Sequence, residues 1–127
     1  DSKSMAPVYI RTLKQCAANF SIMYGNMEAG LMYGEAITGL DDVKEMSKLS
    51  DEYIDHAYYF ATRASEIHYS LTNESAEIAI SDEIESIQTE INTINSDEKF
   101  IELLDSNAEI CIMVRNQNPN NKNYKFD

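Results

Sequence analysis

Glycine and proline are scarce in this chain, four and two in 127 residues. A β-rich fold needs turn-formers between many short strands, and long strand-like runs bounded by them are missing here. Basic residues are scarce as well, 10 Lys plus Arg against 22 Asp plus Glu, for a net charge of −12. Phosphate contacts require a basic footprint, so a general nucleic-acid binder is excluded. No run approaches the ~18 consecutive apolar residues of a spanning helix, and no membrane insertion is expected. The two cysteines, Cys16 and Cys111, form no CxxC, no CxxCH and no zinc-ligand spacing, which excludes the usual redox, covalent-haem and zinc motifs. The polar opening Asp1-Ser2-Lys3-Ser4 has no apolar stretch behind it; a removed leader and simple trimming would both leave such a start.

What is present is apolar periodicity. With 43% hydrophobic residues the chain is long enough for one domain with a core. From Pro7 to about Tyr33, one row of Leu13, Cys16, Phe20, Met23 and Met27 runs beside Ile10, Ala17, Tyr24 and Leu31. Pro7 suits a first helical turn, where its missing N–H costs nothing. Gly25, Gly30 or Gly34 can interrupt this helix or admit a close backbone, and Gly39 is a credible stop. A second helix opens at Asp41 or Asp42, with Glu45 at capping-box spacing. It then carries Val43, Met46, Ser50, Tyr53, Ala57, Phe60, Ala64, Ile67 and Leu71 in steps of three and four.

Asn73 breaks that pattern and is expected to cap a third helix, whose isoleucines 80, 84, 87, 91 and 94 keep a period of 3.5. Ser96 caps a fourth, with Phe100, Leu104, Asn107, Cys111 and Val114 on its seam. The expectation is an all-α, antiparallel up-down four-helix bundle over residues 1–115, with a polar flexible tail over 116–127. The first two helices, roughly 27 and 30 residues, are longer than the last two at roughly 20 each; at about 1.5 Å per residue the mismatch is ~10–15 Å. One end of the long pair then protrudes, or the first helix breaks.

In such a bundle the first and fourth helices are antiparallel neighbours. Cys16 and Cys111 then fall at similar heights on inward rows, so a disulfide is expected. It would close a loop of roughly 95 residues, worth on the order of 4 kcal/mol in chain entropy. Such bonds persist in oxidising compartments, and periplasmic or secreted localisation follows as an expectation.

Catalytic motifs are thin. No Gly-x-Ser-x-Gly elbow and no phosphate-cradling glycine loop occurs. A di-iron bundle needs Glu-x-x-His pairs, but His56 and His68 follow Tyr53 and Ser65 at that spacing. No cofactor and no metal are therefore expected. Met23, Met27 and His56 are the candidate contacts for a core ligand, haem included. The sequons at Asn19 and Asn73 are taken as chance matches, Asn19 lying mid-helix.

Two features suit binding. Residues 73–115 hold eleven acids against two bases. An acidic outer face of the last two helices is expected, carrying Asp82, Glu83, Glu85, Glu90, Glu102 and Glu109. Tyr58, Tyr59 and Tyr69 point away from the seam of the second helix, Tyr58 and Tyr69 within ~20° of one line. Polar-tipped aromatics of this kind are enriched at interfaces. The reading is a small exported, non-enzymatic bundle that binds a protein partner or a second copy of itself. Alternatives are a bundle holding haem, metal or an apolar small molecule, and an acidic mimic of nucleic acid that blocks a DNA-binding protein.

Overall fold

Side chains that recur in steps of three and four can share one buried face only on a helix. The computed structural model, which describes residues 2–34, 42–75 and 77–117 with side chains from Met5 onward, is built that way. Helix α1 spans Ser2–Tyr33, α2 Val43–Thr72, α3 Ser81–Ile91 and α4 Asp97–Asn116. Helix accounts for 86% of the described residues, no strand occurs among them, and the four helices form a bundle.

α1 is the hub and packs against each of the other three. Its antiparallel pairing with α2 is marked by Phe20, whose ring lies against Tyr53, His56 and Phe60, and by the Ser50 hydroxyl donating to Glu28. The core joins Leu13, Cys16, Ala17, Phe20 and Met23 of α1 to Ala57, Tyr59, Phe60 and Ala64 of α2 and to Leu104, Ala108 and Cys111 of α4. Two expected caps form. Asp42 Oδ1 accepts from the N–H groups of Lys44 at 2.9 Å and Glu45 at 3.4 Å, and Ser96 Oγ accepts from Lys99 N–H at 3.4 Å.

Local assignments change at three points. α1 begins at Ser2, so Pro7 lies inside it, where the missing N–H removes one intrahelical bond. α1 also runs unbroken through Gly25 and Gly30 and stops before Gly34, which takes the left-handed φ of 69°. Among the described residues no backbone approaches Gly25 or Gly34, since a Cβ built on either meets nothing within 4 Å. Gly39 and the tail from residue 118 lie outside the described residues, and Asn116 is still helical.

The third change is larger. Asn73 closes α2 instead of opening α3: it adopts φ 59° and donates its N–H to the Tyr69 carbonyl. The described residues between Asn73 and Ser81 are non-helical, and α3 has 11 residues instead of roughly 20. Ile78 and Ile80 explain the difference. Both pack on the core although they are two residues apart; a helix would set them about 200° apart. α3 itself has no buried residue, and its isoleucines are half-buried on the flank of the bundle. Met32 and Tyr33 at the end of α1 and Val43 at the start of α2 are exposed.

Cys16 and Cys111 are bonded, with Cα atoms 5.6 Å apart. The bond spans 95 residues of chain and ties α4 to the hub. Replacing both cysteines by alanine should lower the unfolding free energy by on the order of 4 kcal/mol. Urea unfolding of wild type and variant checks this; coincident midpoints would show that the clasp does not hold the fold.

Candidate functional site

The seam of α4 carries an arginine inward. Leu104, Ala108, Cys111 and Arg115 follow one another in steps of four and three, so the guanidinium continues the buried row. Arg115 is 4% exposed and its partner Asp55 6%. Nη1 of Arg115 donates to Asp55 Oδ2 at 3.0 Å and contacts His56 Nδ1 at 3.0 Å. A guanidinium only donates, so His56 Nδ1 must be the acceptor and the neutral ring carries its proton on Nε2. The Arg115 Cζ lies 4.3 Å from the centre of the Tyr59 ring, and Phe20 stacks on His56 at 4.5 Å. Burial lowers the His56 pKa below its ordinary value, Arg115 adds to the effect, and Asp55 opposes it.

A second polar cluster sits lower on α4. Asn19, 1% exposed, donates from Nδ2 to the Leu104 carbonyl at 3.0 Å and to Met23 Sδ at 3.4 Å, while its Oδ1 accepts from Asn107 at 3.1 Å. The amide is consumed in joining α1 to α4, so glycosylation at this sequon is incompatible with the fold. The candidate ligand contacts are engaged likewise. Met23 and Met27 are buried, and His56 is held between Phe20 and Arg115. Among the described residues no group of three or more His, Cys, Asp or Glu side chains is arranged to hold a metal ion.

The tyrosines separate. Tyr58 and Tyr69 are 53% and 50% exposed, whereas Tyr59 is at 0%. Tyr59 leaves the α1 seam, as its position on α2 dictates, but the end of α4 covers that flank: Arg115 lies on the ring and Phe60 meets its edge. Tyr59 is therefore a core residue and not part of an outer line. Asp82, Glu85, Glu90, Glu102 and Glu109 are exposed, but Glu83 turns inward to pair with Lys14 at 3.0 Å, so it does not belong to the outer acidic face. Asp82, Glu83 and Glu90 border a groove of about 720 Å³ between α1, α3 and α4. A second groove, of about 630 Å³, lies between the start of α1 and the end of α2.

Sequence periodicity could have found Arg115, which stands seven residues beyond Ala108 on the buried row. Its carboxylate partner could not be read, because Asp55 lies off the α1 seam of α2 and meets a cation from another helix. Comparison with known protein families, curated proteins and solved structures finds no match to this chain. No helix among the described residues is long and apolar enough to cross a membrane.

Asp55→Ala should destabilise the fold by about 3–5 kcal/mol, because it leaves a buried guanidinium uncompensated. The double variant Asp55→Leu, Arg115→Met should cost much less. Denaturant unfolding of the two separates these outcomes. pH acts through His56. The folded protein takes up this proton less readily than the unfolded chain, so the contribution is complete above the ordinary imidazole value near 6.5. It is lost as pH falls from there toward the depressed folded value. The urea midpoint should drop on acidification through this window, and His56→Gln should flatten that part of the profile.

Proposed function

We propose that this chain is an exported helical-bundle protein that acts by binding rather than by catalysis, and that it meets a protein partner or a second copy of itself through Tyr58 and Tyr69 on α2. The observation that carries the reading is their half exposure on α2, 53% and 50%. At 100° per residue they lie within about 20° of one line and about 150° from the Phe60–Ala64 seam. A tyrosine pair in this setting offers rigid apolar area with polar tips, the composition that dominates interface energetics. Export is supported by the Cys16–Cys111 bond, which oxidising compartments preserve. Binding rather than catalysis is supported by what the interior polar groups do: Arg115, Asp55, His56, Asn19 and Asn107 hold one another and the helices together.

Tyr58→Ala combined with Tyr69→Ala should weaken association by about thirtyfold, the loss typical of interface hot spots, with an unchanged far-UV circular dichroism spectrum. A light-scattering titration over protein concentration reads the self-association; association unaltered in the double variant removes the tyrosine surface from consideration.

A further inference from the structure

The smaller groove has a composition unlike the rest of this molecule. Its walls are Met5, Val8 and Tyr9 of α1 with Ile67 and Leu71 of α2, and Met5, Val8 and Leu71 are exposed at its mouth. The Thr12 hydroxyl donates to the Val8 carbonyl at 3.1 Å and the Ser70 hydroxyl to the Ile67 carbonyl at 2.7 Å, so both spend their protons on their own helices. One charged side chain remains among the described lining residues, Arg63, and no described Asp or Glu joins it although the chain has 22 acids. The Arg63 Nε–H is buried and has no hydrogen-bond partner among the described residues. An orphaned donor on a cation is costly, and structures usually supply a partner.

The geometry points to a binding site for a single-chain carboxylate amphiphile of fatty-acid type, its head on Arg63 and its tail along Met5, Val8, Ile67 and Leu71. Three features favour this occupant over a neutral or cationic one. A carboxylate can accept charge-assisted hydrogen bonds from the Arg63 guanidinium, which lines the groove. The absence of acids from the described lining means that an anion entering here meets no like charge at contact, in a protein whose net charge would repel it elsewhere. The groove volume of about 630 Å³ is that of a small-molecule site, and its mouth already presents apolar surface to water. The site shares none of its lining residues with the Tyr58–Tyr69 surface, so the two readings fail independently.

Isothermal titration of the intact protein with decanoate, kept below its micelle concentration, tests the assignment. The wild type should bind one decanoate saturably, and decanol about tenfold more weakly, the loss expected when a hydrogen bond to a charged group is removed. Arg63→Met should lower decanoate affinity by a similar factor while leaving decanol unchanged, and Arg63→Lys should retain most of it. Val8→Glu, at an exposed position on the wall, should abolish decanoate binding without unfolding the helix, as circular dichroism verifies. Lys48→Met, at an exposed cation elsewhere on α2, should bind as the wild type does. No saturable binding, equal affinity for decanol, or decanoate binding by Arg63→Met at wild-type strength would each overturn the proposal.

Discussion

The bond between Cys16 and Cys111 sets the height at which α4 lies on α1, and much else follows from that height. One helical turn beyond Cys111, Arg115 is carried past the hub helix to α2, where Asp55, His56 and Tyr59 receive it. In the other direction, Asn107 and the Leu104 carbonyl arrive at Asn19. A shift of α4 by one turn would strand a guanidinium in the core and leave the Asn19 amide without partners. The covalent clasp and the two polar clusters therefore specify the same register, and each makes the others less costly to bury.

This division of labour reflects how the helices meet. α1 and α2 pair along most of their length through apolar side chains, and that contact needs no polar guidance. α3 and α4 add shorter contacts to the hub and do not build an extensive interface with each other. α4 compensates with directional bonds. α3 relies on half-buried isoleucines, on Ile78 and Ile80 ahead of it, and on the Lys14–Glu83 pair. The hub thus carries two weakly coupled satellites, and the grooves lie along its contacts with its neighbours.

The same economy bears on what the molecule does. Arg115, Asp55 and His56 are engaged with one another in the interior, and Asn19 with Asn107. The proposed recognition surfaces lie on the periphery: the exposed Tyr58 and Tyr69 of α2, and Arg63 in an apolar groove between the start of α1 and the end of α2.

The long apolar rows, the two side-chain caps, the four helices and the pairing of two distant cysteines were all legible in the sequence, because each is a consequence of local periodicity and chain direction. Three things were not. Asn73 carries the same residue type at a helix start and at a left-handed helix end, and only the docking of Ile78 and Ile80 on the core decided between them. Tyr59 leaves the α1 seam as its spacing requires, and only the arrival of α4 made that outer position an inner one. Glu83 read as a surface acid until Lys14 of another helix reached it, and the pairing of buried Asp55 with Arg115 had no signal in the sequence at all. Periodicity along one helix determines which side chains share a face; which of those faces is covered depends on where the neighbouring helices lie, and that is a property of the packed bundle.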